Sequence, residues 1–476
     1  MRTRSLPVVL ANMLAHHPRR DSLRKSRVAV CLTLALGTAG AALAAPQPGP
    51  GAPRPQAAAI VHAVSAERIH ATIAALVGFG TRLSLSYAGT ADATHRRGVG
   101  PARDWIAAQL RAISASTGGR LQVALDPFNV PAAERIPRPL TMTNVVATLP
   151  GTDPDDHRVF WVSGHYDSRP TDMLDPMLDA PGANDDASGV AVMLECARVL
   201  SRYQFPATLK FMAVEGEEQG LYGSAYEAHE ARARHEQVVA MLNNDIVGGD
   251  NTPVQPNRNE LRLFSEGVPS AGLDAHQLAR MVATGMENDS PSRELARFIA
   301  QTARPALPGF HVVLEFRQDR YLRGGDHRSF NLEGYAAVRF TDFHENYDHQ
   351  HQTVRLVNGR QYGDLLRYTT PAYTAQVTRV NALALAALAS SLPAPAAVHF
   401  APQLEIGTTL SWTAVPGAQK YHVLLRPTAA PDWTQRLTVA GTQVHVPESK
   451  DNYIMAVSAV DASGKEGLPA IAVMGR

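Results

Sequence analysis

The chain has 476 residues, 45% hydrophobic and 19% charged, which is more length than one typical domain and enough apolar mass for a large core. Its formal charge of +1 excludes the concentrated basic excess of a phosphate-backbone binder, so no nucleic-acid partner is expected. With only 2 cysteines, it cannot be a disulfide-stapled scaffold.

In chain order, the first feature is the basic "RRDSLRKSR", followed by the apolar "VAVCLTLALGTAGAALA" and the small-residue pattern Ala42-Leu43-Ala44. Residues 1–44 therefore read as a secretory signal cut after Ala44, which makes the expected location secreted or periplasmic. The alternative is a retained anchor, because the apolar run approaches spanning length. After cleavage no integral membrane span is expected. Cys31 would leave with the signal, and Cys196, inside the helical pattern "GVAVMLECARVL", reads as an inert buried thiol. Residues 45–60, opening with "APQPGPGAPRPQAAA", are too rich in Pro, Gly and Ala to hold a core and read as a flexible leader.

From 61 to 391 strand-like runs alternate with helical patterns. "RVFWVSGH", "ATLKFMAVEG", "VVAMLNNDIV", "HVVLEF" and "YAAVRFTDF" are short and rich in Val, Phe and Ile, and helix-length stretches separate the first three. The pattern predicts a mixed α/β fold with a centrally parallel sheet and helices on both faces. A closing helix ends in "AQVTRVNALALAALASS" before the Pro-Ala linker 392–402, "LPAPAAVHFAP". Residues 403–476 change to alternating strands punctuated by Gly, Pro and Asp, which predicts a small all-β sandwich. This segment resembles fibronectin type III modules, with Trp412, Tyr421 and Tyr453 at core aromatic positions. It carries no acidic or histidine cluster, and its expected role is binding to a surface or polymer, or spacing.

The chemistry lies where polar residues interrupt the apolar runs. "WVSGHYDS" sets His165 and Asp167 past a strand end, "PGANDDASGVAV" sets Asp185 and Asp186 before a helix, "AVEGEEQG" closes a strand on Glu217 and Glu218, and "MLNNDIVG" closes another on Asp245. Functional groups of open α/β sheets gather outside the carboxyl ends of the strands, so these segments can converge on one crevice. Carboxylates meeting there would repel one another by several kcal/mol at low effective dielectric unless cations compensated them. "DFHENYDHQHQT" adds His344, His349 and His351. Asp, Glu and His without cysteine fit Zn²⁺, with Mn²⁺ or Co²⁺ as substitutes.

The order H-x-D, G-A-x-D-D-x-S-G, E-E-x-G-L-x-G-S, "NNDIVG" and a late histidine resembles the co-catalytic dinuclear zinc exopeptidases, which include bacterial secreted aminopeptidases and glutamate carboxypeptidase II. The resemblance implies a zinc peptidase domain over 61–391 that binds two Zn²⁺. It implies His165 and Asp245 as ligands of one metal, Glu218 and His349 as ligands of the other, and Asp185 as the bridge. His351 is the alternative to His349, because "HQHQTV" departs from the family's usual pattern. Glu217 then resembles the general base, and Asp167 the acid that orients the His165 ring. Asp186 reads as a helix-start residue, while Asp326 and His327 in "GGDHRSFNLEGYAAV" are secondary candidates for the pocket wall.

Adjacent glutamates can divide the labour: one holds a metal, and the other moves the proton of the attacking water. The implied activity is removal of N-terminal residues from peptides or proteins. The alternatives are a carboxypeptidase or dipeptidase, which would need an arginine such as Arg323 or Arg339 facing the pocket, a glutaminyl cyclase with one zinc, and a catalytically silent adhesion protein.

Overall fold

The computed structural model describes residues 55–90, 92, 94–249 and 257–475. The signal segment 1–44 and leader residues 45–54 lie outside them. The leader was expected to run to residue 60, but its last part is helical: α1 spans Pro55–Ala63, and Ile60 is buried in the core. The Ala-rich "PQAAAIVHA" has strong helix propensity and a Pro at its first position, so it enters the fold instead of staying extended.

One eight-stranded sheet organises the larger module. Its strands are β1 Gln122–Val130, β2 Leu140–Leu149, β3 Arg158–His165, β4 Thr208–Val214, β5 Gln237–Asn244, β6 Glu260–Ser265, β7 His311–Glu315 and β8 Ala337–Asp342, in the order β1-β2-β4-β3-β5-β8-β6-β7. The central four, β4-β3-β5-β8, are mutually parallel, while β1, β2 and the β6/β8 pairing are antiparallel. Strands covered on both faces need near-continuous apolar sequence, and seven of the eight residues of "RVFWVSGH" are buried.

Alternation along β3 shows the two faces. Phe160 and Val162 join a core with α2 Ala66–Val77, α3 Val99–Ser116, α4 Ala187–Leu200, α8 Pro291–Ala303 and α10 Pro371–Ser390. Val159 and Trp161 join a second cluster with α6 Tyr222–Ala233 and α9 His327–Leu332. A four-residue turn of helix, α5 Glu217–Gly220, follows β4, and α7 Ala275–Ala283 is an amphipathic surface helix with no buried residue. Among the described residues no single helix is long and apolar enough to cross a membrane. The bent pair α1–α2 passes by length and composition, yet Ile69, Ile73 and Leu76 of α2 are fully buried in the core.

The C-terminal residues form two four-stranded sheets. Trp412 and Tyr421 pack edge to face at 5.3 Å in a core shared by both sheets, with Tyr453 partly buried against it. The linker was expected to reach residue 402, but His399–Phe400 already pairs with Thr408–Ser411 and Val473–Met474, and Val398 is in the sandwich core. An apolar Val-His-Phe run can pair as a strand, and the Pro-Ala segment before it cannot.

The sandwich packs on α8. Arg426 reaches the buried Asp289, which also accepts from Arg297 Nη1 at 3.2 Å. Arg297 Nε donates to Pro431 O at 2.8 Å, and Trp433 Nε1 to Glu294 at 3.2 Å.

Candidate metal centre

The parallel strands β3, β4, β5 and β8 end side by side, and their following loops supply the site. Two glycines permit this convergence. A Cβ on Gly164 would fall 2.3 Å from the Gly189 backbone, and one on Gly189 would fall 2.1 Å from the Asn244 carbonyl oxygen. Without side chains there, the first turn of α4 presses against the ends of β3 and β5.

Asp186 locks that junction. Its carboxylate accepts from Gly189 N at 2.9 Å as the cap of α4, from His165 N at 3.0 Å, and from Ile246 N at 3.2 Å. This agrees with its reading as a helix-start residue. Burial pushes its carboxyl well above the usual range.

Asp185 turns the other way. Its Oδ1 lies 3.1 Å from His165 Nε2, and its Oδ2 lies 2.9 Å from His351 Nε2. Asp245 Oδ1 is 3.8 Å from His165 Nε2, and Glu218 Oε2 is 3.4 Å from His351 Nε2. Two overlapping clusters result, His165–Asp185–Asp245 and Asp185–Glu218–His351, with the donor atoms of each within 4.8 Å of one another. Asp185 belongs to both.

The expected ligand His349 is corrected here: the imidazole beside Asp185 and Glu218 is that of His351. His349 instead stacks on Tyr368, ring centroids 3.7 Å apart. His351 has φ +59°, a left-handed backbone conformation, and its Nε2 lies within reach of both carboxylates. His344 packs edge-on against Phe343 and enters neither cluster.

The surroundings fit a pair of divalent cations. His165 Nε2 and Glu218 Oε1 are buried without a hydrogen-bond partner, a costly state for polar atoms unless a ligand completes them. Two carboxylates 4 Å apart repel by roughly 4 kcal/mol at an effective dielectric near 20. Burial alone would depress the His165 pKa, but the negative charges of Asp186, Asp167, Asp185 and Asp245 outweigh it and hold it well above the usual value. The same opposition, won by His165 and His351, holds Asp185 well below the carboxylate range. Nitrogen and oxygen donors without sulfur suit Zn²⁺.

His165 Nδ1 is 3.1 Å from the Asp167 carbonyl oxygen and 3.5 Å from its carboxylate, so main chain as well as side chain orients the ring. Glu217 lines the same cavity as Asp185, Glu218, Asp245 and His351 but belongs to neither cluster. Burial raises its carboxyl well above the ordinary value.

Several participants have no signal in the local sequence. Asp364 accepts from Asn184 N and Asp185 N at 2.8 and 2.7 Å, fixing the loop that carries Asp185. Gln350 Nε2 donates to Asp185 Oδ2 at 3.2 Å. Of the two arginines considered for a substrate carboxylate, Arg323 lines the cavity, whereas Arg339 is buried against Asp245 at 2.8 Å and Asp319 at 3.3 Å. Asp326 and His327 are fully buried at the start of α9 and are not among the residues that line the cavity.

Residues 144–369 match the family model of peptidase family M28. A protein of Leptosphaeria maculans named "Probable zinc metalloprotease" is 43% identical over 429 residues, covering 88% of this chain and 97% of its own. One of the same name from Pyricularia oryzae is 44% identical over 411 residues, covering 84% and 81%. Among solved structures, an aminopeptidase from Aneurinibacillus sp. strain AM-1 aligns with TM-score 0.48 and 16% identity over 69% of this chain and 95% of its own. A Porphyromonas gingivalis glutaminyl cyclase aligns with TM-score 0.46 and 19% identity over 67% and 98%. On the family match and the two fungal relatives, this chain belongs to peptidase family M28.

Proposed function

We propose that this chain is an exported zinc exopeptidase that hydrolyses N-terminal residues from peptides or proteins. In this reading His165 and Asp245 would hold one Zn²⁺ and Glu218 and His351 the second, with Asp185 shared between them as the bridge and Mn²⁺ or Co²⁺ as substitutes. The observation that carries the reading is the pair of clusters sharing Asp185, with Glu217 in the same cavity and free of both.

Zinc bound there would polarise the scissile carbonyl and lower the pKa of the attacking water. The chain's own groups do the rest. Glu217, lining the cavity beside both clusters, takes the water's proton and passes it to the leaving amine. Asp167 positions both glutamates through their backbone N–H groups. Export by the signal segment 1–44 would place the enzyme outside the cytoplasm, secreted or periplasmic. The fibronectin type III-like sandwich would serve as a packed accessory module that binds a surface or polymer.

A second reading, a carboxypeptidase or dipeptidase, is favoured by Arg323 in the cavity wall. Metal analysis joined to hydrolysis of aminoacyl-nitroanilides and of N-blocked peptides, before and after chelation, tests both. Two zinc ions per chain and chelator-sensitive cleavage of free-amine substrates support the aminopeptidase. Cleavage of blocked peptides alone moves the reading to the carboxypeptidase. One zinc per chain with cyclisation of N-terminal glutamine would make the protein a cyclase.

A further inference from the structure

The sandwich meets the peptidase module through the outer face of one sheet, and that contact is incomplete. In the strand Lys420–Pro427, Tyr421, Val423 and Leu425 point into the sandwich core, so Leu424 and Arg426 face the other way, toward α8. Arg426 closes its part of the contact on Asp289. At Leu424 the modules instead stand apart around a cavity of about 550 Å³. Ile60 of α1, Phe298 of α8, and Leu383 and Ala386 of α10 line one side, and Leu424 and Trp433 of the sandwich line the other. The cavity shares no residue with the one over the metal centre.

Protein interiors fill to crystal-like density, so an apolar gap at a module junction forfeits dispersion contacts and keeps hydrocarbon surface wet. Its volume is that of a small-molecule site, and such sites favour domain junctions. Uncharged polar lining is sparse. Gln301 donates to Asp432 at 2.6 Å, which leaves Gln56, Thr302 and Ser390. A peptide laid there would strand most of its backbone N–H and C=O groups, whereas an alkyl chain has none to satisfy.

Charge enters through Arg436, Lys465 and Glu466. Glu466 is already answered: its Oε2 lies 3.1 Å from Arg436 Nη1 and 3.1 Å from His422 Nδ1, and its Oε1 accepts from Ser458 Oγ at 2.6 Å. The neighbouring Asp461 accepts from Lys465 N and Ser463 Oγ at 2.8 Å each, and the Lys465 ammonium forms no salt bridge among the described residues. Two cations against one paired acid leave a positive charge in excess in the cavity wall. Arg54 of the leader carries the wrong charge to answer it.

We infer that this junction is a binding site for a free fatty acid. Its alkyl chain lies between α8, α10 and the sandwich sheet, and its carboxylate rests on Lys465 and Arg436. Because the ligand touches both modules, it holds them together.

Decanoate, kept below its micelle concentration, is the probe. Decanol and decyltrimethylammonium carry the same chain with no charge and with the opposite charge. On the metal-loaded chain from residue 45 onward, calorimetry should show decanoate bound at least about tenfold more tightly than either. It should exceed hexanoate, which buries less chain, by at least about tenfold. These ratios should survive chelation, which separates this site from a carboxylate on zinc. Lys465→Gln, a surface substitution, should bring decanoate to within about threefold of decanol. Ala387→Phe, which puts a ring into the cavity from a partly exposed position on α10, should remove binding of both while melting as the wild type does. Decanoate should also slow proteolysis within 392–397 at least about threefold in the wild type and not in Ala387→Phe.

Equal affinity for the three head groups overturns the site, as does decanoate binding that is lost on chelation or that survives both variants. Decanoate binding that appears only once residues 45–54 are removed would give the cavity to the leader. A dimer that dissociates on Ala387→Phe would give it to a second copy, and tighter binding of N-acetyl-Leu-Leu than of decanoate would give it to a peptide. Each of these three results also overturns the fatty-acid site.

Discussion

Asp167 accepts the backbone N–H of Glu217 on one carboxylate oxygen at 3.3 Å and that of Glu218 on the other at 3.1 Å. A side chain from the end of β3 therefore fixes the main chain of the glutamate pair at the end of β4. Gly216, with φ +83°, turns the chain so that both N–H groups face Asp167. The same residue orients His165 through its carbonyl oxygen, so it couples the two clusters without belonging to either.

Asp167→Asn should therefore cost more than one hydrogen bond. The amide can accept from one glutamate N–H but must turn its NH2 group toward the other. We expect kcat/KM to fall about 10–100-fold, as for other residues that support metal-bound groups. Stability should drop by about 1.5–3 kcal/mol, the worth of a hydrogen bond to a charged acceptor. Steady-state kinetics and urea unfolding read the two effects separately. Unchanged kinetics with lower stability would reduce Asp167 to a structural brace.

Glu217→Gln keeps the volume and removes the basic oxygen. Because Glu217 lies outside both clusters, metal content should stay at the wild-type value while kcat falls about 10²–10⁴-fold. Elemental analysis beside single-turnover kinetics checks this. Hydrolysis that survives with full metal content would move the proton-transfer role to another group.

The site's strand-end residues were legible in the sequence because each polar cluster interrupts an apolar run, and strands have defined ends. His165, Asp185, Glu218 and Asp245 could be brought together on that basis. The choice of His349 over His351 for the last histidine had no such support, because "HENYDHQHQ" lies in irregular chain where no period of 2.0 or 3.6 sets side-chain direction. His351 adopts a positive φ, which a single sequence does not encode visibly. The antiparallel edge was equally silent: β1 carries Pro127 and an exposed pattern, so its identity as a strand comes from pairing with β2. Arg135, Arg169 and Arg320 to Arg328 sit on separate segments, and only tertiary structure brings them to one wall.

The two histidines of that loop should behave differently on substitution. His351→Ala removes a nitrogen 2.9 Å from Asp185 and should lower bound zinc toward one per chain, with activity following. His349→Ala loses the stack on Tyr368, worth about 0.5–1.5 kcal/mol, and should keep both metals. Zinc titration of both variants distinguishes them, and the opposite outcome would return the ligand role to His349.

Acidity should compete with metal at His351. Burial alone would depress its pKa, but the charge of Glu218 and the hydrogen bond to Asp185 outweigh it and raise it to about 9 in the metal-free chain. The unfolded value is near 6.5, so this group stabilises the metal-free fold fully below about pH 6.5 and loses that contribution as pH rises through 9. Metal needs the unprotonated Nε2. Between those limits apparent zinc affinity should therefore climb about tenfold per pH unit for this proton and level off above 9. His165, whose pKa is also raised, acts in the same direction. Metal-free melting and zinc titration from pH 6.5 to 9.5 measure both trends, and His351→Asn should flatten its share of each.

The sandwich should be an energetic part of the enzyme and not a tethered appendage. Asp289 is buried between Arg297 of α8 and Arg426 of the sandwich, and Trp433 donates to Glu294 beside them. Burial raises the Glu294 carboxyl to about 7, so near neutral pH it is a weaker counter-ion than its position suggests, and Asp289 carries the balance. Asp289→Asn would leave two buried guanidinium groups short of charge, at a cost of about 3–5 kcal/mol. The loss should fall on the contact between modules, since both arginines bridge it. Limited proteolysis within 392–397, resisted by the wild type, should then release a C-terminal fragment, and urea unfolding should split into two transitions. A single transition at an unchanged midpoint would mean that the apolar packing beneath the cluster, not its ions, holds the modules together.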